Sequence, residues 1–130
     1  MTPEITYLAF AVLLLIAHML VQALASDLSR GIMWGLGSRD EDREPSILAG
    51  RLERALNNYA HNIPAFIALA LALEVTELGD DTTALGAAIW FWARFAYVPA
   101  YALNVLFVRS ITWFVSLGGL ALMIAPLLGW

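Results

Sequence analysis

The sequence predicts an all-α membrane protein built as a bundle of four transmembrane helices. Of its 130 residues, 61% are apolar and 14% are charged, whereas soluble domains are about 45–50% apolar and about 25% charged. The chain contains four long apolar stretches, each close to the ~20 residues that a helix needs to cross a bilayer. None of them alternates between polar and apolar residues as a strand does. The length suits one integral-membrane domain.

The four predicted helices follow one another closely. They run roughly over residues 5–26, 56–75, 83–108 and 111–130. The first apolar run is too long for a signal peptide and no basic residue precedes it, so we interpret it as a retained helix. Residues 27–53 form the only sizeable polar connection, which we expect to be a cytoplasmic loop.

Composition excludes several classes of protein. The formal net charge is −4 and there is no basic stripe, so a nucleic-acid partner is not expected. The absence of cysteine excludes disulfides, zinc-thiolate sites, iron–sulfur clusters and cysteine nucleophiles. We predict no metal site.

The basic residues predict how the chain is oriented in the membrane. Five arginines lie in or next to the connection 27–53, and Arg109 lies between the third and fourth helices. The connection between the second and third helices carries Glu77, Asp80 and Asp81 but no base. Because basic connections stay on the cytoplasmic side, both termini of this multi-pass chain are predicted to lie outside.

Polar side chains within the predicted helices gather on the arginine-rich side. Two of the helices carry polar stripes whose members are three or four positions apart and so share one helix face. The stripes are Arg51, Arg54, Asn58, His61 and Asn62 on the second helix, and Arg94, Tyr97, Tyr101 and Asn104 on the third. Polar groups in hydrocarbon need partners or water. Their clustering at one depth predicts a hydrated or ligand-filled cavity open to the cytoplasm.

Several roles remain open for the members of these stripes. Arg51 and Arg54 suit the bidentate binding of carboxylates, although topology alone also accounts for them. The two asparagines on the second helix suit interhelical hydrogen bonding. Arg94 lies near the bilayer centre, where a charge costs at least ~2.5–3.5 kcal/mol. It therefore needs a partner that the sequence does not name.

Three segments resemble the signature of the MAPEG family, the membrane-associated proteins of eicosanoid and glutathione metabolism. Residues 50–66 resemble the family pattern of Arg, three residues, Asn, two residues and Glu, with Pro and Phe further on. Residues 93–101 resemble its Ala-Arg-x-x-Tyr-x-x-x-Tyr segment. Residues 109–113 resemble the arginine-led start of its last helix.

The resemblance implies a homotrimer of four-helix subunits that binds glutathione as a co-substrate between neighbouring subunits. Arg109 would be the catalytic residue that stabilises the thiolate. The binding residues implied by the resemblance and by the two stripes are Arg51, Arg54, Asn58, His61, Asn62, Arg94, Tyr97 and Tyr101. The sequence departs from the pattern at His61, which replaces a Glu. A neutral imidazole accepts one hydrogen bond but supplies no negative charge.

Three hypotheses follow. The first is an enzyme of the bacterial inner membrane that conjugates or reduces lipophilic electrophiles with glutathione or a related thiol. The second is a non-catalytic, MAPEG-like protein that binds lipid or serves as an accessory subunit of a membrane complex. The third is a haem-binding redox protein that uses His18 and His61, which are predicted to lie at similar depth.

Overall fold

The structure, a computed structural model, describes all 130 residues and contains helices but no strands, so the all-helical prediction is confirmed. Four helices are long and one is short. They are α1 (Pro3–Arg30), α2 (Ile32–Leu36), α3 (Ile47–Thr76), α4 (Asp81–Ala102) and α5 (Leu106–Ile124). A 3₁₀ turn, Pro126–Leu128, follows the last helix.

Three of the helices, α1, α3 and α5, are long and apolar enough to cross a membrane by length and composition. The 22-residue α4 is similar in length but carries Arg94 within it. Large apolar side chains are exposed along the outside of the bundle, as hydrocarbon surroundings require. Leu20 on α1 is 66% exposed and Phe114 on α5 is 67% exposed.

The helix α3 begins at Ile47 rather than near residue 56, where its apolar run begins. The side chain of Ser46 caps it by accepting a hydrogen bond from the backbone N–H of Ala49, which is a favourable start for a helix. Since α1 also continues to Arg30, the connection between them shortens to residues 31–46 and includes α2. Hydropathy identifies the membrane-embedded part of a helix but does not identify polar helical turns that extend beyond the membrane.

The helix α4 ends at Ala102 rather than near residue 108, so Asn104 does not belong to its polar stripe. Asn104 has a φ of 58°, and the backbone N–H of Val105 donates to the carbonyl of Ala100. This is the arrangement in which a left-handed residue closes a helix. The last helix correspondingly spans Leu106–Ile124 rather than residues 111–130, and Pro126 follows it.

The long helices alternate in direction, so the bundle has two chemically different ends. At the carboxylate end, Thr2 donates to Glu74 at 2.6 Å and Thr83 donates to Glu4. At the arginine end, Arg51 on α3 donates to the carbonyl of Ala102 on α4 at 3.3 Å. The first and last of these contacts each join the start of one helix to the end of another, whereas the contact between Thr83 and Glu4 joins the starts of α4 and α1.

Aromatic packing holds the centre of the bundle together. The rings of Phe66 on α3 and Trp90 on α4 stack at 4.1 Å and 4°. The buried Tyr59 hydroxyl donates to the carbonyl of Ala11 on α1 at 2.9 Å. Between α4 and α5 the backbones touch, because a Cβ on Gly119 would lie 2.6 Å from the carbonyl oxygen of Gly86. Glycine thus permits the close approach of these two helices.

Candidate functional site

A cleft of about 330 Å³ opens between α3, α4 and α5 near the arginine end. It combines one amide, two phenols, one guanidinium and an aromatic wall. Its lining residues are Asn58, Tyr97, Tyr101, Arg109, Ser110, Trp113 and Phe114. One residue of the α3 stripe, two of the α4 stripe and the arginine of the last helix therefore meet at one place.

Arg109 forms one wall of this cleft. Its guanidinium carbon lies 5.1 Å from the centre of the Tyr101 ring, which is within range of a cation–π contact. The Tyr101 ring in turn lies 5.7 Å from the Tyr97 ring. The Arg109 guanidinium makes no hydrogen bond or ion pair within the chain; the Thr112 hydroxyl bonds only the backbone carbonyl of Arg109. Its N–H groups are free to bind an anion from the cleft.

Arg94 lies behind the cleft and is completely buried. Its Nη1 donates to the Oδ1 of Asn58 at 2.8 Å, which identifies the partner that the sequence left open. Since the amide oxygen of Asn58 is engaged there, its NH₂ group is the part that remains for the cleft. Arg94 therefore acts on the cleft through Asn58 rather than by lining it.

The other predicted binding residues do not line the cleft of a single chain. Arg51 donates a hydrogen bond to the carbonyl of Ala102, and Asn62 donates to the Asn58 carbonyl on its own helix at 2.7 Å. Arg54 and His61 are exposed, and the Nδ1 of His61 lies 2.6 Å from the Asn57 carbonyl. These two residues are available to a molecule or subunit outside the chain.

The sequence reasoning did not assign a role to Ser110, Trp113 or Phe114, which line the cleft from α5. Their spacing carried a signal, because residues four positions apart on a helix lie on the same side. Trp113 follows Arg109 by four positions, and Phe114 follows Ser110 in the same way. The Trp113 and Phe114 rings meet edge to face at 5.0 Å.

The two histidines of the haem hypothesis do not face each other in one chain. His18 on α1 is 2% exposed, and its ring lies 6.3 Å from the ring of Tyr59 on α3. His61 comes two positions after Tyr59, so it leaves the opposite side of α3 and is exposed. A single chain thus does not offer this pair as two axial ligands.

A sequence model of the MAPEG family matches residues 7–129. The chain belongs to the MAPEG family. It is therefore a membrane protein of the eicosanoid and glutathione metabolism type. No curated protein and no solved structure gave a match. In this MAPEG chain, residues from all three motif segments meet at the cleft.

Proposed function

We propose that this MAPEG protein is a thiol transferase or peroxidase that acts on lipophilic electrophiles, with glutathione or a related thiol as co-substrate. The observation that carries the proposal is the free guanidinium of Arg109, which faces the same cleft as the amide of Asn58. Both groups supply hydrogen-bond donors. A cleft lined by donors suits a thiol that carries carboxylates.

The chemistry assigned to Arg109 is electrostatic. A free thiol has a pKa of about 8.5 and is mostly protonated at neutral pH, whereas a neighbouring guanidinium favours the thiolate. The thiol proton passes to water, the thiolate sulfur forms a bond to the electrophilic carbon, and the leaving group departs with the bonding electrons. The protein contributes positioning and a fixed positive charge.

The lipid-facing side of the cleft supports a lipophilic electrophile. Phe114 lines the cleft and is 67% exposed on the outside of the bundle. Trp113 supports this ring from inside. A small apolar molecule dissolved in the bilayer would therefore reach the thiol laterally, past aromatic surface, without crossing an aqueous layer.

We further propose that the working unit is a homotrimer in the bacterial inner membrane, with the arginine end in the cytoplasm and both termini outside. The concentration of arginines at one end supports this orientation. Arg54 and His61 are exposed beside the stripe residue Asn58, where a neighbouring subunit would place them against a bound thiol. His61 offers one acceptor there but no carboxylate.

The decisive experiment replaces the proposed catalytic charge. Arg109→Gln should lower the rate of conjugation of a chlorodinitrobenzene electrophile with glutathione by about 100-fold at neutral pH, because each pKa unit is a tenfold change in thiolate. The difference from the wild type should shrink as the pH rises toward 9, where the free thiol ionises without help. Rates of the detergent-purified protein from pH 6 to 9 measure this.

Arg39→Gln is the matched control, since Arg39 lies in the connection between α1 and α3 and outside the cleft. It should retain the wild-type rate and pH profile. A variant at Arg109 that keeps the wild-type rate at every pH would contradict the proposed mechanism.

A non-catalytic role is the second candidate, favoured by His61 in place of the acidic residue of the family pattern. In that case the protein would present a lipid or join a larger membrane complex. Purified wild-type protein that copurifies with a lipid and turns over no electrophile with any thiol would favour this role over the enzyme.

A further inference from the structure

Five buried nitrogen atoms in the molecule have no hydrogen-bond partner within the chain. They belong to three side chains, each at most 2% exposed. The atoms are Nδ1 and Nε2 of His18, Nε1 of Trp90, and Nε and Nη2 of Arg94. Buried polar groups in proteins are nearly always satisfied by protein, water or a bound group, so a cluster of this kind needs an occupant.

All three side chains surround one residue, Tyr59. The His18 ring lies 6.3 Å from the Tyr59 ring and the Trp90 ring lies 5.9 Å from it. Arg94 lies one helical turn after Trp90 and is bonded to Asn58, the residue next to Tyr59. We call these four residues, His18, Tyr59, Trp90 and Arg94, the Tyr59 site. It joins α1, α3 and α4 behind the cleft.

The Tyr59 site is rich in donors and carries a positive charge that a cation–π contact with Tyr97 at 5.4 Å compensates only in part. The two unpartnered nitrogens of Arg94 supply three N–H groups and Trp90 supplies one, while a neutral His18 supplies one donor and one acceptor. The Tyr59 hydroxyl donates to Ala11 and does not serve as their partner. No carboxylate pairs with Arg94, because the ion pairs of the chain are those of Arg30 with Glu53 and of Arg43 with Glu41.

This balance favours an anion over water. A water molecule accepts two hydrogen bonds but must also donate two, and the unpartnered atoms include a single acceptor. An anion needs only donors and also neutralises a guanidinium in a low-dielectric interior, where an unpaired charge is expensive. We propose that the Tyr59 site binds one small monovalent anion of the halide type.

The site is tested with chloride and with a matched pair of tryptophan variants. The unfolding midpoint of the detergent-purified protein is measured as chloride replaces gluconate at constant ionic strength. The midpoint should rise and then saturate, because only a specific ligand of the folded state stabilises in this way. Trp90→Phe keeps a ring against Phe66 and removes the N–H donor together with part of the indole ring, so half-saturation should require about 10-fold more chloride.

Trp92→Phe is the control, since Trp92 lies on the same helix and is 57% exposed. It should keep the wild-type chloride dependence. A midpoint that does not depend on chloride, or a dependence that is the same in both variants, overturns the proposal. Neither result bears on the thiol cleft, because Trp90 does not line it.

A direct readout uses bromide as the probe. Crystals of the wild-type protein grown in bromide should show an anomalous peak within hydrogen-bond distance of the Arg94 guanidinium and the Trp90 indole nitrogen. Ordered water at that place with no anomalous signal would overturn the proposal. This test does not depend on the stability of the tryptophan variants, because it uses the wild-type protein.

Discussion

The two ends of the bundle use polar side chains in opposite ways. At the carboxylate end, Thr2 donates to Glu74, and Thr83 joins Glu4 to the backbone N–H of Asp80. At the arginine end, the side chains of Arg109, Tyr97 and Tyr101 line a cleft and donate no hydrogen bond within the chain. The hydroxyls and carboxylates at the first end bond to one another, whereas the three side chains of the cleft at the second end keep their donors free.

This difference separates polar residues that stabilise the fold from polar residues that are available for binding. Glu4 is buried with its hydroxyl partner from α4, so the carboxylate end ties α1 to α4. Free donors in a cleft contribute little to folding but supply binding capacity. Variants at the carboxylate end should therefore change stability alone, and variants at the cleft should change activity. Four substitutions test this division.

The largest effect on stability is expected at Asn58, which both lines the cleft and bonds to a buried arginine. Asn58→Leu removes the acceptor of the buried Arg94 and should lower the free energy of unfolding by about 3–5 kcal/mol. It should also abolish thiol transfer, because Asn58 lines the cleft. Denaturation of the detergent-solubilised protein measures the loss.

Asn62→Leu is the control for that variant, since its side chain bonds within its own helix, to the Asn58 carbonyl at 2.7 Å and more weakly to the Asn58 Oδ1 at 3.5 Å, and is not hydrogen-bonded to Arg94. It should cost about 1 kcal/mol. Equal losses in the two variants would show that Arg94 does not depend on Asn58.

Arg54→Ala tests whether an exposed residue outside the cleft of one chain belongs to the assembled site. Because a charge-assisted contact to a carboxylate would be lost, the dissociation constant for glutathione should rise roughly 10-fold or more. Calorimetry in detergent measures binding, and size-exclusion chromatography shows whether the oligomer is intact. Unchanged affinity would remove Arg54 from the site.

The packing of α4 against α5 provides a third test, with a built-in control. A Cβ at Gly119 would lie 2.6 Å from the Gly86 carbonyl oxygen, whereas one at Gly118 meets nothing within 4 Å. Gly119→Ala should therefore destabilise the protein by about 1–3 kcal/mol. Gly118→Ala should leave the unfolding midpoint unchanged, and a similar loss in both would refute close packing at this point.

The smallest effect is expected at the carboxylate end. Thr83→Val preserves side-chain shape but removes the hydroxyl that bonds Glu4 and Asp80, at a cost of about 1–2 kcal/mol. The rate of thiol transfer per folded molecule should not change. Thr82→Val, at the exposed neighbouring position, should alter neither quantity. A fall in transfer rate for Thr83→Val would break the division between the ends.

Sequence patterns predicted the helices better than their ends. Apolar runs located four long helices because burial in hydrocarbon demands continuous apolar surface. The ends depend on local backbone chemistry instead, such as the cap by Ser46 and the left-handed Asn104. Both residues favour those roles, so the signals were present but hydropathy does not register them.

For the candidate site, too, sequence patterns predicted some features and did not predict others. Spacing predicted two polar stripes, which meet through Asn58 and Arg94, although Asn104 lies beyond the end of α4. The spacing did not predict that the Arg51 side chain would donate to the backbone carbonyl of Ala102 on α4. Periodicity determines which residues share a face of one helix. Contacts between helices depend on how the helices are rotated and shifted along their axes relative to each other.

The amino-acid sequence by itself determined a helical membrane protein of the MAPEG family, with its arginines gathered at one end and two polar helix faces. Only the tertiary structure decided that Asn58 is the partner of Arg94, that Ser110, Trp113 and Phe114 complete the cleft, and that unpartnered donors surround Tyr59. The reason is that each of these facts joins residues from different helices. Such contacts follow from how the helices pack, which no pattern along a single helix specifies.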